Sequence, residues 1–435
     1  MGCSSGKDVQ DTAYTGPTTL VGSHLKTAED VVDYPHFPDG TKSLLKKHLT
    51  PAIWNELKDK QDKHGFTFKQ AIFSGCKNTD SGIGVYAGSH DSYAAFAPLM
   101  DKIILDYHKH GKSAKHVSDM DASKLKAPPF APEDAAMIVS TRIRVGRNLA
   151  DYPLGPGLSK QQRLDIMNTV VKALETFEGD LQGKFYPLQG MSKDVQNKLI
   201  EDHFLFKQVS TPLQTARERF KDLDKMQYLM NLCVAVLDII KIRRVNALGQ
   251  SPFIYIMTRR NIRGIKVLEG DRFLEACNLN REWPEGRGIF HNDEKTFLVW
   301  VNEEDQLRII SMQQGADLHK VFERLQRATT HIEKVAKFAH DSHLGYITSC
   351  PTNLGTALRA SVHIRLPKLS QRWDEFQKIA DEFYVQIRGI HGEHSESTDA
   401  TYDISNKRRL GRSEKDLVQD MYNGVKKMIE REKQL

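Results

Sequence analysis

The sequence predicts an α+β protein, with a small all-helical N-terminal domain and a larger domain whose mostly antiparallel sheet is flanked by helices. Three observations carry this. Apolar residues recur at helical spacing through the first part of the chain, a polar and then proline-rich stretch follows, and beyond it short alternating segments are separated by helical or turn sequence. At 435 residues, the chain is long enough to bury one large core and a second smaller one.

The chain opens Met1-Gly2-Cys3-Ser4-Ser5-Gly6-Lys7, which resembles an N-myristoylation signal at Gly2 with a palmitoylation site at Cys3. One acyl chain holds a protein to a bilayer only marginally, whereas two hold it stably. Residues 1–35 are expected to form an acylated flexible tail, the plainer alternative being a disordered start. The five cysteines (Cys3, Cys76, Cys233, Cys277 and Cys350) are widely separated and form no C-x-x-C pair. With no secretory leader before them, they imply a reducing, cytoplasmic compartment and no structural zinc.

Leu44, Leu45, Leu49, Ile53, Trp54 and Leu57 predict a helix from Thr41 to about Lys63, and a second is predicted from Ala95 to Tyr107. Between them, Asp80-Ser81-Gly82-Ile83-Gly84-Val85-Tyr86-Ala87-Gly88 carries three glycines and predicts a tight loop. The helical domain spans 36–115 and a linker 116–136. The larger domain spans 137–435. In its first strand, Val139, Thr141, Ile143 and Val145 share one face, while Ser140, Arg142 and Arg144 share the other. Ser159-Lys160-Gln161-Gln162 is a capping box opening a helix to about Phe177. Further strands are predicted at 203–206, 296–301, 307–312, 360–366 and 384–387.

Arg142, Arg144, Arg308, Arg359 and Arg388 all fall in or at the ends of these strands. A single strand arginine is ordinarily a surface residue. Five suggest a polyphosphate clamp, since guanidinium groups offer fixed forks of donors to phosphate oxygens. No G-x-x-x-x-G-K-[ST] is present, so the site is not a P-loop.

The segment Cys350-Pro351-Thr352-Asn353-Leu354-Gly355-Thr356 resembles the signature of the phosphagen (ATP:guanidino) kinases. Phe297 to Asp305, Arg388 to His394 and Tyr402 to Arg409 are similar to the same family, and the resemblance covers about residues 36–207 and 269–435. It implies a glutamine-synthetase-like catalytic domain using ATP/ADP and Mg²⁺. Within the family, the 81–86 loop resembles that of arginine kinases rather than creatine kinases. Ser81, Gly82, Ile83, Gly84 and Tyr86 would then close over the carboxylate end of L-arginine.

A guanidinium is a poor nucleophile because it holds its proton, with a pKa above about 12. The resemblance gives Glu304 and Glu393 the roles of aligning it and taking its proton, with Cys350 beside it as an orienting thiolate. Nearby cations would favour that thiolate. Arg142, Arg144, His203, Arg308, Arg359, His363 and Arg388 would bind ATP, Glu303 would meet the metal's water shell, and Asp80 would pair with Arg272 on closure. Relatives acting on taurocyamine or creatine, and a non-catalytic membrane-bound scaffold, are the competing readings.

The family-like run ending at Lys207 should pass directly into Glu269, but residues 208–268 intervene. This insert carries 11 basic and 4 acidic residues, a net of +7, whereas the whole chain is +6. The remainder is therefore near −1, and no nucleic-acid partner is expected. Gln208-Val209-Ser210 can be encoded as CAG GTA AGT, a splice-donor pattern. The segment reads as a retained intron or as a surface insertion. A membrane-associated setting such as a cilium or flagellum would suit an anchored member of this family.

Overall fold

The structure, a computed structural model, describes residues 14–201, 272–389 and 399–435. Contacts divide the chain into two units, residues 1–206 with 273–435, and 207–272; only the first is described, apart from Arg272 of the second. Gly2, Cys3, His203, Glu393, the strand expected at 203–206 and the insert at 208–268 lie outside the described residues.

The catalytic half is built on an eight-stranded sheet: β3 (Ile138–Arg147), β4 (Gly183–Pro187), β5 (Gly288–Asn292), β6 (Phe297–Val301), β7 (Leu307–Gln314), β10 (Leu358–Arg365), β11 (Val385–Gly389) and β12 (Thr401–Asn406). Its order is β11-β12-β10-β3-β7-β6-β5-β4, with every neighbouring pair antiparallel. One face is covered by α7 (Lys160–Leu174), α10 (Leu318–Val335), α11 (Trp373–Glu382) and α12 (Glu414–Gln434), whose apolar residues join Ile143, Val145, Val299, Ile309 and Ala360 in one core. Removing that apolar area from water, at roughly 25 cal/mol per Å², is the main stabilising term. The other face, near β3 and β10, carries the arginines.

The alternation predicted for β3 holds from Thr141 onward. Val139 departs from it and is 49% exposed, while Ile138 is buried. The cause is a register shift between His363 and Ile364, where Ile364 pairs with Ile138 after His363 has paired with Ser140. One residue is skipped, which reverses the facing of everything beyond it.

The helical half contains α1 (Leu44–His48), α2 (Pro51–Leu57), α3 (Phe68–Lys77), α4 (Ser92–Ala95) and α5 (Ala97–His108). The single helix expected over 41–63 is two helices. Pro51 disfavours a helical Thr50, which adopts extended geometry (φ −94°, ψ 160°) and caps α2 by accepting from Ile53 N at 3.3 Å. Residues 14–35, placed in a flexible tail by the sequence reading, are packed. β1 (Thr18–Leu20) and β2 (Tyr34–His36) form a parallel ribbon, and Val21, Leu25 and Val31 are buried in the helical core. Their spacing fits neither helix nor strand, so periodicity could not reveal them.

The linker is also held down. It contains the helical turn α6 (Pro132–Ala135), and Ala122 and Leu125 are buried in the catalytic core. Ser118 Oγ and Asp119 N both donate to the buried Glu414, and Tyr422 Oη donates to Pro128 O. Two further helices, α8 (Lys193–Glu201) and α9 (Arg272–Ala276), and a two-residue ribbon of β8 (His340–Asp341) and β9 (Gly345–Tyr346) complete the described elements.

Candidate active site

Register gathers the arginines. On adjacent strands Arg144 pairs directly with Arg359, Arg142 with Ser361, and Arg308 with Gly146. Like charges placed directly opposite on a sheet are destabilising, so this face is not arranged for the stability of the empty protein. Burial and then the neighbouring Arg308, Arg142, Arg359 and Arg409 push the Arg144 guanidinium well below its ordinary value. Arg142 is pushed down to about 10 by burial and by Arg359 and Arg308, and its buried Nε has no hydrogen-bond partner among the described residues. Arg359 donates to Asp403 Oδ2 on the neighbouring strand at 2.6 Å. Such a cluster fits an anion with several oxygens. His363 lies two residues beyond Ser361 on the same face, its Nδ1 3.3 Å from Ser140 Oγ, and burial lowers its pKa.

The hairpin between β6 and β7 carries Glu303, Glu304 and Asp305. Asn302 makes the turn possible by adopting φ +58°, which asparagine tolerates better than most residues, and its Nδ2 donates to Arg163 O and Gly286 O. Arg287, almost fully buried, donates to the carbonyls of Asn302, Leu279, Arg281 and Glu285 and so fixes the hairpin from behind. Within it, Arg308 reaches Glu303 Oε2 at 3.0 Å and Glu304 Oε2 at 2.6 Å. Burial opposes the charge of Arg308, but Glu303, Glu304 and Asp305 outweigh it and raise its pKa. Burial raises Glu303 in spite of Arg308.

Cys350 precedes a single 3-10 turn, Pro351–Asn353. Its Sγ lies 3.1 Å from Thr352 Oγ1. The expected thiolate is not what this geometry favours: burial, with Glu304 adding to it, pushes the thiol up to about 12. Asp305 acts on the sulfur in the same direction as Glu304. Asn353 Nδ2 approaches Glu304 Oε1 at 3.4 Å, linking the two loops.

The glycine loop meets both. Gly82 O and Ile83 O accept from Leu44 N and Leu45 N at the start of α1, Tyr86 N donates to Ala71 O, and Ala87 N donates to Ser349 O at 2.8 Å. Gly84 adopts φ +84°, and a Cβ there would lie 2.8 Å from Leu45 Cβ. A cavity of 620 Å³ opens between these elements, lined among others by Gly82, Ile83, Glu304, Cys350, Arg388 and Arg409. Ser81 and Tyr86 are buried beneath the loop rather than lining the cavity. A smaller cavity of 50 Å³ behind it is lined by Arg144, Glu304, Arg308, Asn353, Arg359 and Arg409.

Arg409 was not assigned from sequence. It donates to Thr352 O at 2.8 Å and lines both cavities, whereas adjacent Arg408 turns away, over the Tyr384 ring at 3.6 Å and toward Asp420. The pair Arg408-Arg409 was the available signal, but only the backbone direction after β12 tells which one faces the site. Asp80 is exposed at the start of the glycine loop, and Arg272 opens α9.

For a metal, no group of three or more His, Cys, Asp or Glu side chains among the described residues is arranged to hold an ion. The carboxylates beside the arginine cluster are already paired, Glu303 and Glu304 with Arg308 and Asp403 with Arg359. That donor set fits Mg²⁺ carried on nucleotide phosphates with its own waters, and does not fit a protein cage.

Residues 165–435 match the family model described as the ATP:guanido phosphotransferase C-terminal catalytic domain, and residues 39–105 match the corresponding N-terminal domain. An arginine kinase of Scylla serrata is 42% identical over 91% of this chain and 94% of its own. An arginine kinase of Anthopleura japonica is 47% identical over 90% of this chain, which spans only 47% of that longer relative. Among solved structures, a lombricine kinase superposes with TM-score 0.73 at 32% identity, covering 94% of this chain and 96% of the other. The duplicated taurocyamine kinase of Schistosoma mansoni, with transition-state-analogue components bound, superposes with TM-score 0.70 at 34% identity over 91% of this chain and 47% of its own.

Proposed function

The chain belongs to the ATP:guanido phosphotransferase family, and from that premise we propose that it transfers the γ-phosphoryl group of ATP reversibly to the guanidino nitrogen of L-arginine. The observation that carries this reading is the shared cavity: glycine-loop residues Gly82 and Ile83, the carboxylate Glu304 and the Cys350 thiol line it together with Arg388 and Arg409.

Phosphoryl transfer asks the protein mainly for alignment and for cations around the transferred group. Arg142, Arg144, Arg359, Arg388 and Arg409 supply the cations. Glu303 would meet the water shell of Mg²⁺ carried on the nucleotide, an ion that would neutralise further phosphate charge. Glu304 accepts from the substrate guanidinium and orients it, with Glu393 as the second carboxylate. Arg308 bridges these tasks, since it is bonded to Glu304 and shares the small cavity with Arg144 and Arg359. His203 and His363 complete the nucleotide site, Tyr86 supports the glycine loop over the substrate's carboxylate, and Asp80 pairs with Arg272 on closure.

ATP turnover with L-arginine, creatine and taurocyamine in parallel tests the reading. Turnover chiefly with L-arginine is expected. Turnover chiefly with another guanidine would move the substrate assignment, and none with any would leave a non-catalytic scaffold. The assay is run on forms with and without residues 208–268. We propose that this segment is a retained intron absent from the mature protein; abundant native peptides from within residues 214–260 would identify it as a surface insertion. We further propose acylation at Gly2 and Cys3 and attachment to a membrane, in a cilium or flagellum, checked by incorporation of a labelled myristate analogue.

A further inference from the structure

We propose that Asn148 is a positioning residue for the phosphoryl transfer, acting through Asp305 to set the spacing between the Glu304 hairpin and the Cys350 loop. The inference rests on the reaction assigned above. Asn148 follows β3 directly, is 1% exposed, and uses both its amide donors and its amide oxygen. Its Nδ2 donates to Asp305 Oδ1 at 2.8 Å and to Ile347 O at 2.9 Å, its Oδ1 accepts from Gln306 N at 2.9 Å, and its carbonyl accepts from Ala339 N at 2.7 Å.

The same Asp305 Oδ1 also accepts from Ser349 N at 3.0 Å. One carboxylate oxygen therefore joins the residue after Glu304 to the residue before Cys350, and Asn148 holds that oxygen in place from the end of β3. Only an amide can donate and accept at once in this position; aspartate lacks the donor and leucine lacks both.

Asp305 makes a poor structural choice. It is buried, and its Oδ1 is satisfied by an amide and a backbone N–H rather than by a cation in direct contact. Glu304, Arg308, Tyr93 and Cys350 are the titratable groups that face it. Burial and then Glu304 push its carboxyl up to about 6. Burying a charge this way costs stability that an apolar pair would not. The geometry it secures is worth that cost where a misplacement of about 1 Å can lose roughly 100-fold in rate.

The test compares three variants of the full chain, each checked for an unaltered far-UV spectrum. Asn148→Asp keeps the shape and removes the donor. Its kcat is expected to fall about 10- to 100-fold with KM for ATP and L-arginine within about threefold. Its kcat profile is expected to move toward acid pH, because two carboxyls in hydrogen-bond contact cannot both ionise. Asp305→Asn keeps the acceptor for Asn148 and Ser349, so kcat is expected within about threefold of the parent. In the double variant the amide at position 305 can either donate to the carboxylate at position 148 or accept from Ser349 N, but not both, because one atom of residue 305 serves both contacts. The double variant is therefore expected to recover less than about threefold of the lost kcat.

A parent-like kcat in Asn148→Asp, or an effect confined to KM, overturns the proposal. So does a loss of tenfold or more in Asp305→Asn, which would assign the effect to charge rather than spacing, or a double variant that recovers more than about threefold, which would assign it to the 148–305 contact without the bond to Ser349. Should the parent chain itself turn over no guanidine, the reaction assignment fails. The pH profile of Cys350 alkylation then reads the spacing alone: a shift of at least about 0.5 pH unit in Asn148→Asp supports it, and an unmoved profile overturns it.

Discussion

Arg308 donates to Glu304 Oε2 at 2.6 Å while its other nitrogen reaches Glu303 at 3.0 Å, so a residue on the phosphate side of the site is already bonded to the carboxylate that faces the guanidine. Removing the Glu304 charge breaks both functions of that carboxylate. Glu304→Gln is expected to lower kcat about 10²- to 10⁴-fold, the range for loss of a general base, with a much smaller change in KM for ATP. Steady-state kinetics with both substrates varied checks this.

Arg144 faces Arg359 across the sheet and has no carboxylate partner among the described residues. Arg144→Met is therefore expected to stabilise the substrate-free protein by about 1 kcal/mol while reducing kcat/KM for ATP at least about 100-fold. Thermal unfolding with and without MgADP separates the two effects. Ligand raises the midpoint of the parent by mass action and leaves the variant nearly unmoved.

The Cys350 thiol is pushed up by burial and then by Glu304, and held down by the Thr352 hydroxyl. Removing the negative neighbour favours the thiolate, so Glu304→Gln moves the pH profile of alkylation to lower pH. Thr352→Val removes a stabilising hydrogen bond and moves it higher. Iodoacetamide rates at a fixed pH between about 8 and 10, on the rising limb below the thiol's midpoint, read both shifts: faster for Glu304→Gln and slower for Thr352→Val.

Asp305 has a folded-state pKa of about 6 against an ordinary value of 3.8. A carboxyl raised on folding binds its proton more tightly when folded, so stability is greatest while it is protonated and falls as pH rises from about 4 to 6. At neutral pH the loss is at most about 3 kcal/mol. Asp305→Asn is expected to recover part of it at pH 7.5 and none at pH 4, as denaturant midpoints at the two pH values would show.

Gly84 sits at φ +84° with no room for a Cβ against Leu45. Gly84→Ala is expected to cost about 1–3 kcal/mol and to raise KM for L-arginine more than KM for ATP, because the strain falls on the loop over the guanidine. Chemical denaturation and substrate-specific KM values check the two parts.

The elements that sequence reveals well here are those with a simple period and a local signal. β3 from Thr141 onward and the helix capped by Ser159 are of this kind. Arg142 and Arg144 were legible as a same-face pair because a strand alternates. Arg359 facing Arg144 was not, since register between distant strands depends on partners far apart in the chain. The ribbon at 18–36 escaped because three-residue strands have no measurable period. Arg409 escaped because two adjacent arginines separate only once the backbone has turned. The Cys350 protonation state was misjudged because sequence places cations near the sulfur without telling that burial and Glu304 oppose its charge.

The glycine loop and the Cys350 loop are fastened together. Ala87 N bonds Ser349 O, Tyr93 Oη bonds Thr348 O, and His108 Nε2 meets Pro351 O, each at 2.8 Å. The described part of the guanidine side, the glycine loop with the Cys350 loop, is thus assembled before any substrate arrives. Binding of the guanidine alone should consequently carry a small heat-capacity change and little ordering entropy. Both should grow when nucleotide is added, so that calorimetry would report the two ligands as a rigid fit and a disorder-consuming fit on the same protein.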